Sequence, residues 1–532
     1  MALHFKKSYC LSLLAGAVMA LSAVTAAGQT DVISSLPSLG DAGGAELSVQ
    51  DERRLGALIM RDYKAYGLVN GDLEITAYLA RLGGRIAQAA GESPANFEFF
   101  LVTDKSINAF AMPGGYIGVH TGLIATARNE SELASVLAHE VGHVTQRHIA
   151  RRFGQQKQTS LVSAAAMIAA LLVAGSNPQA ATGLMAAGAG FSIDQQLAFS
   201  RDAEREADRV GFLTLQQAGF DTQSMVDFFG RLQIASRLYE NNAPVYLRTH
   251  PLTTERIADI RNRAGIDAAK RTQRSEAPLD FELLRMRALV FGEKTSQQLA
   301  DRLRSLNGPN EQEGFRNPVA MAYGQSLVYA AMGKKPESQK AAEQALALYR
   351  QGQAAVKNNP GPFMLRTQVL NATMDVSLPP SGMAATSRPA RGVADLTPQE
   401  KALYDQLEQL KQDYRNDFPV KVLYADGLQR LGLFQLSDTY LKDITQVFRS
   451  SPQLYELLAQ SSLALGKKAD HHLYLAQSYS VRGAFLPAVE QTQIARQYAR
   501  DNYYLLAEID AKQREYKRRA DEERDAMRAL GN

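Results

Sequence analysis

The chain carries His139-Glu140-Val141-Gly142-His143, and few five-residue stretches restrict a fold so tightly. Two histidines at i and i+4 lie on one face of a helix, where both imidazoles can reach a single divalent cation. Glu140 follows the first histidine, about 100° further round a helix of about 3.6 residues per turn. Its carboxylate then stands at the edge of such a site, able to take a proton from an attacking water. This H-E-x-x-H spacing suits zinc-assisted peptide hydrolysis. With 8 His in 532 residues, chance alone would produce it in about one such chain in a hundred.

Flanking residues support a helix there. Asn129-Glu130-Ser131-Glu132 reads as an N-cap followed by a capping-box glutamate. Leu133, Leu137, Val141 and Val144 then form an apolar stripe that faces a core. Gly142, between the two histidines, costs about 1 kcal/mol against Ala inside a helix, so it implies that another element packs closely at that point.

A zinc hydrolase needs a third protein ligand. The best candidate lies in Ser200-Arg201-Asp202-Ala203-Glu204-Arg205-Glu206-Ala207-Asp208-Arg209-Val210-Gly211. Glu204, Asp208 and Gly211 share one helix face with Ala207 beside them, and small residues there allow a close approach to the histidine helix. Glu204 is the candidate third ligand, and Asp208 can accept an N–H from a ligand histidine. Glu206 projects from the other side and is expected to be solvated. An exposed helix face would carry the same mixed charges, and the upstream histidines are what favour the metal reading.

Taken together, His139-Glu140-x-x-His143 and Glu204-x-x-Ala207-Asp208 resemble the zinc peptidase family that includes the heat-shock protease HtpX. Asn108-Ala109-Phe110-Ala111-Met112-Pro113-Gly114-Gly115-Tyr116-Ile117 resembles that family's segment before the metal helix, where a strand borders the cleft. Thr249-His250-Pro251-Leu252 with Arg256-Ile257 resembles its segment after the third ligand. The resemblance spans roughly residues 50–265. It implies endopeptidase activity with one Zn2+ per chain on His139, His143 and Glu204, and Glu140 as general base. Met112, Pro113, Gly114, Gly115, Tyr116 and Ile117 are the candidate substrate edge strand, since an extended peptide can complete an open sheet edge.

His250 is the remaining candidate at the site. Pro251 biases it away from helix and towards extended backbone, so its imidazole can enter the cleft as a fourth ligand that restrains the enzyme. A hydrogen bond within a structural loop, or a contact to substrate or to a transition-state oxyanion, together fit the same position about as well. His148, five residues past His143, is expected to point off the ligand face. His120 precedes the helix and reads as structural.

The N-terminus has Lys6 and Lys7, then an apolar run from Leu11 to Val24, then small residues to Gly28. This is the pattern of a cleaved secretory signal, with an uncleaved anchor as the alternative. Cys10 is the single cysteine and would leave with the signal, so no thiol remains to mispair in an oxidising compartment. The formal charge of +4 falls to +2 without Lys6 and Lys7, and nothing indicates a nucleic-acid binder. A further apolar region within 161–190 runs from Leu161 to Ala174 and from Gly183 to Gly190, and its first stretch, about fourteen residues before Asn177-Pro178, is short for a membrane span. Peripheral membrane contact and a plain core helix pair both fit it.

The second half is a repeat array. Gly432 and Gly466 are 34 residues apart, the tetratricopeptide period. Gly333 precedes Gly432 by 99 residues, close to three periods, and Gly483 follows Gly466 at half a period. Such hairpins bury their apolar faces only against neighbours and form a curved superhelix with a concave groove. Within it, 378–392 is rich in Pro, Gly and Ser and is expected to be a flexible insert. The stretch 513–528 is expected to be a solvated, highly charged helix.

The expected fold is therefore mainly α: an α+β, zincin-like metalloprotease domain followed by an α-superhelical tetratricopeptide domain. The expected boundaries are a signal peptide at 1–27, a flexible segment at 28–47, the protease at 48–265, a helical connector at 266–315, repeats at 316–518 and a charged tail at 519–532. A signal peptide, such a protease and a C-terminal array together resemble the periplasmic beta-barrel assembly-enhancing proteases of Gram-negative bacteria. That resemblance implies zinc-dependent degradation of misfolded or stalled outer-membrane proteins, with assistance to their assembly through contact of the array with the barrel-assembly machinery. The rival expectation is a repeat-based chaperone or adaptor with a seldom-used protease.

Overall fold

The computed structural model describes residues 48–65, 67–154, 200–238, 245–267, 278–307, 317–352 and 361–528. The expected signal peptide, the segment 28–47 and the apolar region 161–190 lie outside the described residues.

Helix α1 (Val49–Ala65), strand β1 (Val69–Asn70) and helix α2 (Leu73–Ala89) lead into strands β2 (Glu98–Val102), β3 (Ala109–Met112) and β4 (Tyr116–His120). Helices α3 (Thr121–Thr126), α4 (Glu130–Thr145), α5 (His148–Gly154), α6 (Arg201–Gln217), α7 (Gln223–Leu238), α8 (Val245–Thr249) and α9 (Thr254–Asp267) follow. The sheet has the order β1-β2-β4-β3. Strands β2 and β4 are parallel, with Phe99 opposite Ile117, while β3 runs antiparallel to β4, with Ala111 opposite Ile117.

Both faces of this sheet are covered, so its strands alternate between two cores. Phe100, Val102, Phe110 and Met112 pack with Leu55, Ile59 and Tyr63 of α1. Phe99, Leu101, Ala109, Ala111 and Ile117 face the opposite core with α2 and α4. The order also corrects the expected edge strand. Tyr116 and Ile117 belong to β4, which is paired on both sides. Pro113-Gly114-Gly115 is the turn between β3 and β4, and the edge itself is Ala109–Met112.

Helices α10 (Pro278–Gly292) and α11 (Ser296–Ser305) form the connector. Beyond them come α12 (Pro318–Ala331), α13 (Lys335–Gly352), α14 (Phe363–Ser377), α15 (Pro398–Asp413), α16 (Phe418–Arg430), α17 (Phe434–Thr445), α18 (Pro452–Ala464), α19 (Lys468–Val481), α20 (Phe485–Tyr498) and α21 (Tyr503–Arg528). The glycines read as repeat punctuation end helices in one shared geometry. Gly333, Gly432, Gly466 and Gly483 have φ of 73°, 79°, 73° and 79°, a conformation glycine adopts without steric cost. At each, the next amide reaches back to the last turn, as in Leu433 N–H to Leu428 O at 2.8 Å and Lys467 N–H to Ser462 O at 2.8 Å. This is the Schellman stop, and it lets the next helix turn back after about three residues.

Two expectations about the array need correction. The segment 378–392 is fastened rather than loose: Ala385 is fully buried, and Ser381 Oγ donates to Asp426 at 2.8 Å. The physical reason is the end of α16, whose last carbonyls have no helical partner. Arg388 donates to Arg430 O at 2.6 Å and Arg391 to Leu431 O at 2.8 Å, while both arginines also bind Glu400. The Arg391 hydrogen bond is the chief reason the Glu400 carboxyl is held at about 2. The charged stretch after 513 belongs to the single helix α21 and is not wholly solvated, since Tyr516 and Ala520 are buried.

Packing does not stop at the expected boundaries near 265 and 315. One continuous core runs from Ile75 and Leu79 through Phe281 and Leu284 to Tyr323 and Leu433. Arg81 of α2 pairs with Asp417 at 2.8 Å and lies over the Phe363 ring at 4.8 Å, both residues of the array. Arg287 of α10 is buried between the halves. It binds Asp72 at 2.7 Å, Glu74 at 2.9 Å and the Tyr323 hydroxyl at 3.2 Å. Burial raises the Glu74 carboxyl despite the Arg287 charge, so removing that charge would strand two carboxylates in the interior. Arg287→Ala is expected to lower the unfolding free energy by roughly 3–5 kcal/mol, whereas Tyr323→Phe should cost about 1 kcal/mol. Urea titration of both variants checks this, and a loss under about 1 kcal/mol for Arg287→Ala would remove the charge cluster from its place as a tie between the halves.

Candidate metal centre

Helix α4 runs through the centre of the first half. Asn129 caps it as its sequence suggests, accepting from Glu132 N at 2.8 Å. Glu132 does not return to the cap residue as a capping box would. It accepts from Arg128 N at 2.7 Å and from Arg231 of α7 through two bonds of 2.6 Å. The stripe of Leu133, Leu137 and Val141 is buried, but so is every residue from Ser131 to His143. A helix enclosed on all sides needs small and polar residues that match its neighbours, which an apolar stripe alone does not disclose.

The neighbour that matters is α6, capped by Ser200, whose hydroxyl accepts from Ala203 N at 3.2 Å. A Cβ on Gly142 would stand 3.1 Å from Ala207 O, and one on Gly211 would stand 3.0 Å from the backbone N and Cα of His139. The two helices therefore touch backbone to backbone at the histidines. This contact sets Glu204 and Asp208 against His139 and His143.

His139, His143, Glu204 and His250 each offer a donor atom, and those atoms lie within 4.8 Å of one another. His139 Nε2 is 3.0 Å from His143 Nε2 and 3.3 Å from His250 Nδ1. Glu204 Oε1 is 2.9 Å from His250 Nδ1 and 3.4 Å from His143 Nε2. All four side chains are at most 2% exposed. Neighbours set the ring tautomers. Asp208 Oδ1 lies 3.0 Å from His139 Nδ1, and His148 Nδ1 lies 2.8 Å from His143 Nδ1. A proton held at each Nδ1 leaves the Nε2 lone pair of both rings directed into the cluster. Imidazole lone pairs and a carboxylate converging in a dry space repel one another without a cation, and a divalent metal of zinc type fits this donor set.

The charges are arranged to match. Burial alone would raise the Glu204 carboxyl, but the charges and hydrogen bonds of His250 and His143 hold it well below the usual carboxylate range. Burial also pushes the His143 imidazole well down, favouring the neutral form that can ligate. Arg256 lies across both acids, 2.6 Å from Glu204 Oε2 and forked onto Asp208 at 2.6 and 2.8 Å. It also donates to Pro251 O at 2.8 Å, which ties the segment after His250 to α6. Glu140 is fully buried beside the cluster, 3.6 Å from His250 Nε2, and no described side chain hydrogen-bonds its two oxygens, beside which lies the Ala111 backbone. Burial raises its carboxyl above the usual range, against the opposing charges of His250 and His139.

Two sequence expectations fail here, from a single cause. The helix ends at Thr145 and Arg147 has φ 52°, so His148 starts a new helix and the rotation counted from His143 does not apply. His148 turns back onto His143. Glu206, expected to be solvated, lies 3.1 Å from His148 Nε2 and 2.8 Å from Arg151. His250 does not lie in a fully extended segment either: its N–H donates to Tyr246 O at 2.8 Å at the end of α8. His120 lies apart, 2.9 Å from Ser106 Oγ, with its imidazole lowered to about 4 by burial. Arg256 and Tyr246 had no role in the sequence reading. For Tyr246 the available signal was an aromatic four residues before His250 on a short helix; its ring stacks on the His250 ring with centroids 4.7 Å apart.

Glu204→Ala is expected to lose bound metal. Glu206→Ala and Asp208→Ala should keep it at weaker affinity, by about 10–100-fold. Gly211→Val should lose metal by separating α6 from α4 without touching a donor. Metal analysis of the purified variants decides all four, and full metal content in Gly211→Val would sink the view that this contact builds the site.

Residues 74–264 match the model of peptidase family M48. The chain is similar to the beta-barrel assembly-enhancing protease of Yersinia pestis, at 30% identity over 460 residues, covering 85% of this chain and 86% of that one. The protein of that name from Escherichia coli is 34% identical over 318 residues, 60% of this chain and 64% of the relative. A Vibrio cholerae protein that carries the same name provisionally is 41% identical over 246 residues, 46% of this chain and 50% of the relative. The chain thus spans half to just under two thirds of the Vibrio and Escherichia relatives it matches.

Proposed function

Because the chain belongs to the beta-barrel assembly-enhancing proteases, we propose that it is a zinc-dependent endopeptidase of the periplasm that cleaves misfolded or stalled outer-membrane proteins. The observation that carries this reading is the buried convergence of His139, His143, Glu204 and His250 beside the buried Glu140 carboxylate. The family implies a divalent metal, and the donor set suits one zinc. The signal-like N-terminus supports the compartment, and the relatives' names, which speak of beta-barrel assembly, support clients of that class. Among the described residues no helix is long and apolar enough to cross a membrane.

When bound, zinc supplies Lewis acidity, which acidifies water and polarises a carbonyl. His139, His143 and Glu204 would hold it, with Asp208 and His148 fixing the two imidazoles. Glu140 accepts the proton of the attacking water and returns it to the leaving amine. Its burial suits this exchange, because a carboxyl raised above the usual range keeps a proton long enough to pass it on. An extended client segment would pair along the β3 edge, Ala109–Met112, which packs beside α4. The repeat array, continuous with the protease core, would present the surface that meets clients and the barrel-assembly machinery.

A second reading, a repeat-based chaperone or adaptor with a seldom-used protease, draws support from the burial of the whole cluster. His250 sits among the donors and no described face of the site is open.

Casein cleavage with and without a chelator tests the proposal. Glu140→Gln is expected to retain metal and fold while losing activity, since Gln is near-isosteric and accepts no proton at neutral pH. His250→Ala should raise basal cleavage or self-cleavage if it restrains the site, and lower it if it contacts substrate. Normal cleavage by metal-loaded Glu140→Gln would refute the assigned base.

A further inference from the structure

At the cluster, the buried hydroxyl of Tyr246 meets no hydrogen-bond partner among the described residues. Tyr246 lies in α8 and is 1% exposed. Its ring stacks on His250 at an interplanar angle of 25° and stands 6.3 Å from the His139 ring. Its backbone is held at both ends. The amide donates to Ile107 O at 3.2 Å, and the carbonyl accepts from His250 N at 2.8 Å. Ile107 lies just before β3, so the Tyr246 backbone is tied beside the start of that edge strand while its ring stacks on His250 of the donor cluster.

A hydroxyl buried without a partner costs about 1–3 kcal/mol. Where such a group persists beside a reactive site, a partner supplied from outside is the natural explanation. A phenol ordinarily loses its proton only at about pH 10. It is therefore a donor in the working range, and its missing partner is an acceptor. In an extended peptide lying along β3, the acceptor nearest the chemistry is the carbonyl oxygen of the bond to be cut. That oxygen gains negative charge as water adds to the carbonyl carbon, and a donor already in place there acts with little reorganisation.

We propose that Tyr246 is a catalytic residue whose hydroxyl donates a hydrogen bond to the scissile carbonyl oxygen and stabilises the charge that develops on it. The proposal rests on the endopeptidase reading above. In the reaction the water oxygen bonds to the carbonyl carbon, Glu140 takes one water proton, the C–N bond breaks and that proton passes to the leaving amine. Tyr246 keeps its own proton throughout, so the step balances without a further reactant.

The test uses the full-length, metal-loaded protein and an internally quenched peptide derived from casein. Tyr246→Phe removes the hydroxyl and leaves the ring on His250. It is expected to lower kcat on the order of 10²–10³-fold with KM changed by less than about twofold, the mark of an interaction made in the transition state. Calorimetry gives a second readout. A phosphonate peptide that mimics the tetrahedral state should bind Tyr246→Phe more weakly by a similar factor. In a Glu140→Gln background, binding of the uncut peptide should not change on adding Tyr246→Phe. Wild-type kcat and phosphonate affinity in Tyr246→Phe, with Glu140→Gln inactive, would overturn the role of the hydroxyl and leave the endopeptidase reading standing. Impairment in Tyr246→Ala but not Tyr246→Phe would also overturn it, since only the ring would then matter. A metal-loaded wild type that cuts no peptide would overturn the endopeptidase reading, and this proposal with it.

Discussion

Everything at the candidate metal centre depends on two helices approaching to backbone contact. Gly142 meets Ala207, and Gly211 meets the backbone of His139, at distances of 3.0–3.3 Å from where a Cβ would stand. Even a Cβ at these points would push α4 from α6 by a few tenths of an ångström, and a larger side chain would take Glu204 out of the donor set it shares with the histidines. Metal geometry tolerates errors of only about 0.2 Å in donor distance, so this steric contact is the precondition for the chemistry. The cost of two glycines inside helices, about 1 kcal/mol each, is offset by the precision of the approach.

A shell of charge then stabilises an arrangement that would otherwise be unfavourable. Three imidazoles and two carboxylates in a dry interior are costly unless each is paired. Asp208 takes His139, His148 takes His143, and Arg256 spans Glu204 and Asp208. Glu206 and Arg151 in turn hold His148. Each neighbour fixes a proton or an orientation one step further from the donors. No described side chain hydrogen-bonds Glu140 or the Tyr246 hydroxyl, whereas each of the other members has an ion-pair or hydrogen-bond partner among its neighbours.

Much of this was legible in the chain because it obeys a helical period. His139, Glu140, His143, Glu204, Asp208 and the small residues between the helices all follow from spacing. The hairpin stops of the array follow from glycines at a repeat distance. What escaped notice lies where the backbone breaks its period or where partners are remote. His148 was misplaced because Arg147 takes a left-handed conformation that nothing in its residue type foretells. Glu206 then followed His148 into error. Strand β4 was taken for an edge because neighbours within a sheet are set by tertiary order, which a local pattern does not carry. The segment 378–392 read as loose from its Pro, Gly and Ser content, while the two arginines that bind it down act across 40 residues or more of sequence.

Burial sets the last constraint on function. A peptidase must admit a main chain, yet every donor and Glu140 are at most 2% exposed. Helices α4 and α6 cannot part without destroying the site, and β3 is fixed on one side by β4. Among the other described elements beside the cluster, α8 is the shortest, at five residues. Its ties include the Tyr246–Ile107 backbone bond, the stacked Tyr246–His250 pair and the Arg256–Pro251 bond just beyond it. Short elements with few anchors belong to the low-stability end of a fold, where local opening is least costly. Because α8 and its end carry both Tyr246 and His250, a single small displacement changes the fourth donor and the phenol together. Admission of a client, release of His250 and placement of the donor for the carbonyl are therefore one mechanical problem, located at the segment 245–256.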